Sequence, residues 1–281
     1  MIPRANVQRG LATIRYFGWG TGGDEWRRTR ARVLLRFDGD VDGLEDDEVA
    51  AEDRLRRELS ACAQDRDGNL WLGTDELTGL SRLRPEAPGA FGRHTFTDLA
   101  GLLSLPDDDD EEIDIEGLAV HGRRLLLGLR GPVLRGWALL LELQVADTDD
   151  GWLCLEPIGD GGRPYRKHFV QLGGMGIRDL VWHGDDLLLL AGPTMDITGL
   201  QSLYRFRGAA DLDDDSLSPL DGDTLSLAYH LPLVTEGDKA EGLCLFSGLD
   251  APRLLVVYDA PCADRLVAAD AVLADLFELP R

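Results

Sequence analysis

Lysine is almost absent from this chain of 281 residues, with Lys167 and Lys239 the only two. Counting arginine, 29 basic residues stand against 51 acidic ones, a formal charge of −22. Such a surface repels a phosphate backbone, so the reading is no nucleic acid and no membrane among the partners. No apolar run reaches the roughly 18 residues that a spanning helix needs. The first residues, MIPRANVQRGLATIRYF, lack the apolar centre of a secretory signal. A soluble, cytoplasmic protein is expected. The four cysteines, Cys62, Cys154, Cys244 and Cys262, show no CxxC spacing. They read as free thiols in the core rather than as a disulfide or zinc site, Cys62 and Cys244 falling inside apolar strands. There is also no GxSxG elbow, no HExxH and no P-loop, so three common enzyme chemistries lack their usual markers.

What is present is a repeat. SACAQDRDGNLWLG from Ser60, EGLAVHGRRLLLG from Glu116, RDLVWHGDDLLLLA from Arg178 and EGLCLFSGLDAPRLLVVY from Glu241 share one pattern, with starts 56, 62 and 63 residues apart. A near-fixed period of this kind marks a repeat architecture. Within each unit the apolar residues alternate in twos, as in Leu118, Val120, Leu125 and Leu127, or Leu180, Trp182, Leu187 and Leu189. Turns such as Asp67-Gly68-Asn69, His121-Gly122 and His183-Gly184 place glycine where a tight hairpin needs positive φ. Third strands follow at Leu80 to Leu83, Ala138 to Leu143, Leu203 to Phe206 and Ala274 to Leu279. Fourth strands are expected in Arg93 to Leu99, Tyr165 to Leu172 and Leu225 to Leu233.

Four antiparallel strands per period predict an all-β fold, a β-propeller of about five four-stranded blades in a single domain spanning residues 1–281. A β-sandwich is the alternative. The fifth blade is inferred from Leu11 to Phe37, which matches the second half of a unit without a first strand ahead of it, so the propeller is expected to be incomplete at the N-terminus. Either Met1 to Gly10 supplies a degenerate closing strand, or the chain is a shortened version of a longer one. The N- and C-terminal blades should then share strands or leave one sheet short. Two segments compete as helices by spacing, Leu44 to Leu59 and Ala263 to Phe277, the first expected on the surface. The acidic runs Asp107 to Asp114 and Asp211 to Asp215 read as solvated loops, with a cation or basic partner as the alternative.

DIEGLAVHGRRLLLGLRGPVLRGWALLLEL (Asp114 to Leu143), LGGMGIRDLVW (Leu172 to Trp182), and the later AGP and KAEGL, resemble the bacterial domain of unknown function 3616. The resemblance runs from about Phe17 onward. It implies a propeller and no particular reaction. The Glu-Gly-Leu openings are also similar to those of phytase-like and esterase-like propellers, in which axial carboxylates bind calcium, an analogy of fold alone.

Aligning the repeats puts Ser60, Glu116, Arg178 and Glu241 at one equivalent position, the start of each first strand. In a propeller that strand is innermost, so a Glu-Arg-Glu cluster is expected at the mouth of the channel. Two readings are open. The cluster is an ion-pair network that neutralises buried carboxylates. Alternatively Glu116 and Glu241, with backbone carbonyls and Asp75 or Asp259, hold Ca²⁺, all the donors being oxygen. Arg130 in GLRGP breaks the repeat, and its fork of donors suits a carboxylate or other planar anion, unless it is a structural Arg bonded to loop carbonyls or to Asp114. Gly173-Gly174-Met175-Gly176 superficially resembles a phosphate cradle but reads better as a glycine-rich turn. His121 and His183 read as turn residues on the far face. The expected ligand-binding residues are therefore Glu116, Arg130, Arg178 and Glu241. The expected function is binding of a small molecule or protein partner, the alternative being a calcium-assisted hydrolase of phosphoesters or lactones.

Overall fold

Period-two apolar patterning punctuated by glycine turns builds β-structure throughout the computed structural model. It describes residues 16–18, 30–36, 59–65, 67, 69–74, 80–87, 90–95, 114–148, 153–195, 199–232, 238–247, 251–259, 261–268 and 271–280. The chain divides into two compact units, Glu58–His230 on one hand and Met1–Arg57 with Leu231–Arg281 on the other. Strands β1 (Tyr16–Gly18) and β2 (Arg30–Arg36) belong to the second of these.

Among the described residues the Glu58–His230 unit contains three sheets. The first is an antiparallel meander of β3 (Leu59–Gln64), β4 (Leu70–Thr74), β5 (Leu80–Ala87) and β6 (Ala90–Thr95). The second runs β7 (Asp114–His121), β8 (Arg124–Gly131) and β9 (Ala138–Asp147), flanked by β10 (Leu153–Leu155) and β11 (Tyr165–Val170). The third comprises β12 (Gly176–His183), β13 (Asp186–Gly192), β14 (Ser202–Phe206) and, after an excursion, β16 (Leu225–His230). That excursion carries β15 (Ser216–Ser218), which leaves its own sheet and pairs parallel with β11 of the second. Gly122 and Gly184, at φ +63 and +66, take the first of two residues in the β7–β8 and β12–β13 turns, the place that a type II′ hairpin gives to glycine.

The core of this unit lies between sheets. Leu125, Leu127 and Leu129 of β8 face Ala61 and Trp71 of the first sheet, while Leu126 faces Ile177, Leu180 and Leu189 of the third. A strand covered on both faces shows a near-continuous apolar run, which is why β8 reads RLLLGL. Each fully buried leucine contributes about 1.5–3 kcal/mol. At β7 the strand lies against both β3 and β12, so first strands of successive sheets are neighbours. Arg82, buried over the Trp71 ring, reaches across to Asp147 and ties the first sheet to the second.

In the other unit β17 (Ala240–Phe246), β18 (Arg253–Tyr258) and β20 (Ala271–Glu278) form an antiparallel sheet, with β19 (Leu266–Ala268) on the start of β20. On its far side β20 pairs with β2 over Arg36 to Arg30, and β2 with β1. The N-terminal strands thus complete the sheet begun by the C-terminal ones, the sharing of strands that the count of first and second strands suggests.

Three expectations change. The described strands form four sheets rather than five, because Tyr16–Gly18 and Arg30–Arg36, the described parts of Leu11 to Phe37, add to the C-terminal sheet instead of starting their own. Ala263 to Phe277 is no helix: a 3₁₀ turn at Ala263–Arg265 leads into β19 and β20, whose spacing mimics a helix because Ala274, Asp275, Leu276 and Phe277 are buried on both faces. Cys154 and Cys244 are exposed, since Cys244 follows the inward Leu243 and so faces the other way, and Cys262 is half-buried. The side chain of Cys62, the segment Leu44 to Glu58 and the residues Met1 to Gly10 lie outside the described residues.

Candidate functional site: an arginine–carboxylate cluster on bulged first strands

Each first strand bulges by one residue at the same place, and in the β7–β8 pair a second bulge, at Arg130 of β8, lies beside it. The register shifts between Leu59 and Ala61, Ile115 and Gly117, Ile177 and Asp179, and Ala240 and Gly242. The extra residues are Ser60, Glu116, Arg178 and Glu241, the four that the repeat alignment makes equivalent. A bulge bends the strand and re-aims the side chain it carries, a feature concentrated beside active sites.

Glu116 and Arg178 meet across two sheets. Arg178 Nη1 donates to both carboxylate oxygens of Glu116 at 3.2 Å, and its Nη2 donates to the Pro193 carbonyl at 2.6 Å. Arg130, at the end of β8, donates from Nη1 to Glu116 Oε1 at 2.7 Å and from Nη2 to Asp114. Two guanidiniums and two carboxylates therefore balance in charge. The Arg178 side chain is 4% exposed and Glu116 13%, whereas Arg130 is 35% exposed. Charges withdrawn this far from water persist only when paired.

Glycines allow the close approach. A Cβ on Gly176 would sit 2.0 Å from the Arg130 carbonyl oxygen, so the start of β12 lies directly on the end of β8. Gly117 and Gly128, opposite each other in the β7–β8 ladder, make room for Leu180 and Ile177. On Gly192 a Cβ would press on the Arg178 side chain at 3.3 Å. The segments EGL, GLRG, GGMGIRDL and AGP, separate in sequence, interlock at this one place.

Of the expected ligand-binding residues, Glu116, Arg130 and Arg178 are together, and Asp114 is the partner of Arg130. Glu241 occupies its bulge in the other unit. Asp259 is exposed after β18, its N–H donating to the Lys239 carbonyl at 3.0 Å. Asp75 and the side chain of Ser60 lie outside the described residues. Both oxygens of Glu116 accept from arginine, and among the described residues no group of three or more His, Cys, Asp or Glu is placed to hold a metal. Gly173 and Gly174, at φ +69 and +83, turn the chain into a strand rather than a helix. The His121 ring packs on Trp182, 5.0 Å between centroids, at the hairpin end of both sheets.

Two buried clusters escape the sequence reading. Glu142, 1% exposed on β9, accepts from Arg124 at 2.7 and 2.8 Å, from His168 Nε2 at 2.9 Å and from Arg166 at 3.3 Å. Burial pushes its carboxyl upward, but the hydrogen bonds from His168 and Arg124 and the charge of Arg124 outweigh it, and the net shift is down. In the other unit the fully buried Arg265 donates to Asp238 at 2.7 Å and Asp275 at 2.9 Å beneath the Tyr258 ring. A lone acid inside an apolar strand, as in ALLLELQV, signals such a cluster, since burying it unpaired is prohibitive. Its partners are not legible, being supplied by strands far away in sequence.

Residues 58–123 and 113–275 match the family described as Protein of unknown function (DUF3616). No curated protein matches the sequence. Among solved structures, the chain is similar to the major Malassezia sympodialis allergen Mala s 1, at 10% identity and TM-score 0.42 over 89% of this chain and 73% of that one. It is similar to a catalytically inactive virginiamycin B lyase from Staphylococcus aureus with quinupristin, at 9% identity and TM-score 0.35 over 90% and 75%. A third is YCF48 from Cyanidioschyzon merolae, at 14% identity and TM-score 0.39, where 78% of this chain spans 50% of that one.

Proposed function

The chain belongs to the DUF3616 family, and we propose that it is a β-propeller domain that binds a small ligand through the arginine–carboxylate cluster. The propeller reading is supported by the four sheets with equivalent bulged first strands and by the N-terminal strands completing the C-terminal sheet. The observation that carries the binding reading is Arg130. It is held by Asp114 and Glu116 on one side, yet a third of its side chain remains open to solvent. A guanidinium fixed in this way is preorganised to receive a planar oxyanion, so the ligand class is a small carboxylate. Calcium is the less favoured occupant of Glu116, because two arginines already take its oxygens.

Thermal unfolding with a panel of di- and tricarboxylates, and separately with Ca²⁺ or EDTA, tests this. A ligand at 100 times its dissociation constant stabilises by about 2.7 kcal/mol. The expected result is stabilisation by a carboxylate that Arg130→Ala abolishes, with no response to Ca²⁺. Stabilisation by Ca²⁺ that Glu116→Gln removes would replace this reading with the calcium-assisted hydrolase.

A further inference from the structure

Away from that cluster, on the β9–β11–β15 side of the second sheet, three residues are hydrogen-bonded in series. His168 Nε2 lies 2.9 Å from Glu142 Oε2, and His168 Nδ1 lies 2.9 Å from Ser216 Oγ. An ionised carboxylate only accepts, so Nε2 carries the proton that goes to Glu142. In the neutral ring Nδ1 is then a lone pair, and the Ser216 hydroxyl donates to it. The tautomer is fixed by the carboxylate, just as a base is held by an orienting acid in nucleophilic hydrolases.

The setting favours this chemistry over a plain strand contact. Glu142 and His168 are 1% and 0% exposed, so the pair is held away from water, while Ser216 is only partly buried and its neighbour Leu217 is 70% exposed. Arg124 grips Glu142 with two donors and is itself anchored on the carbonyls of Ala210 and Leu212, which fixes the carboxylate in place. Ser216 is held opposite His168 by the parallel β11–β15 register, and Asp215 beside it accepts from the Lys167 N–H and from Arg163. The excursion that carries β15 out of its own sheet thus delivers a hydroxyl to a buried histidine.

We propose that Ser216, His168 and Glu142 form a hydrolytic site for acyl esters, with Ser216 as nucleophile, His168 as base and Glu142 as the positioning residue. Ser216 Oγ attacks the ester carbonyl carbon and its proton passes to His168 Nδ1. Collapse of the adduct breaks the carbon–alkoxide bond, and the proton goes from Nδ1 to the departing alcohol. Water then attacks the acyl-serine, giving up a proton to Nδ1, and release of the acid returns that proton to Ser216. Asp213, Asp214 and Asp215 are exposed next to the nucleophile, so the substrate is neutral or cationic rather than anionic.

The test is phosphonylation of the full chain by a neutral alkyl fluorophosphonate, mapped by mass spectrometry. The expected result is one labelled serine, Ser216, with labelling reduced at least about 100-fold in Ser216→Ala. Labelling should fall in Glu142→Gln and return in part in Glu142→Asp, since a carboxylate again accepts the His168 Nε2 proton, a rescue that a merely structural loss would not show. Ser216 is small and partly exposed, so its alanine variant should retain the parent circular dichroism. An unlabelled Ser216, or labelling unchanged by Ser216→Ala, would overturn the proposal and leave the contact as a fastening of β15 to β11.

Discussion

Glu116 and Arg178 occupy the same position in two successive repeats and are also each other's partner: both are the extra residue of a first-strand bulge, joined by two hydrogen bonds of 3.2 Å. The repeat places the two side chains at one level on adjacent strands. Opposite charge at that level then converts a repeated position into a contact between sheets.

Removing Arg178 should be costly. Arg178→Ala removes one of the two described arginines on Glu116 and the donor to the Pro193 carbonyl, so a loss of about 3–5 kcal/mol is expected in urea unfolding, towards the low end because Arg130 remains. The parent should unfold identically with and without EDTA.

Backbone contact between β8 and β12 predicts a second sensitivity. Gly176→Ala would set a methyl group against the Arg130 carbonyl, and Gly128→Ala would set one 2.5 Å from Ile177. Each should destabilise by about 1–3 kcal/mol, Gly176→Ala more, as rigid backbone yields less than a side chain. A melting temperature unchanged by Gly176→Ala would contradict the close approach.

Arg265 is the counter-charge of two buried carboxylates. Arg265→Ala should cost about 3–5 kcal/mol, and hydrogen exchange should show the loss of protection first in β18 and β20, whose Tyr258 and Asp275 it joins.

The sign of the acid response follows from Glu142. Its folded carboxyl lies below the ordinary value of 4.5. The unfolded chain therefore binds its proton first, and the stabilisation is present above pH of about 4.5 and disappears as pH falls through the lower folded value. Unfolding free energy should decline with acidification across that window, and the decline should be shallower in Glu142→Gln. A parallel decline in both would place the acid sensitivity elsewhere.

Cys154 and Cys244 are exposed thiols. Ellman's reagent should modify both in the native protein ahead of the half-buried Cys262, whereas a core location would require unfolding first.

The sequence by itself determined the strands. Period-two apolar spacing and turn glycines are local properties, so the first, second and third strands of each repeat, the tight hairpin turns at Gly122 and Gly184, and the equivalence of Ser60, Glu116, Arg178 and Glu241 were all readable, as was Asp114 as a partner for Arg130. Tertiary structure decided what these strands meet. The pairing of β2 with β20 joins the two ends of the chain, and nothing local distinguishes an outer strand of the C-terminal sheet from the start of a separate blade. The bulges depend on the partner strand, since an extra residue exists only relative to a ladder. The spacing in Ala263 to Phe277 fits a helix as well as a strand until Arg265 is seen to neutralise Asp275 inside the sheet. Likewise the departure of β15 to join β11 is set by the Ser216–His168 and Asp215–Arg163 contacts. Those energies arise between chain segments, and no window of sequence contains both sides of them.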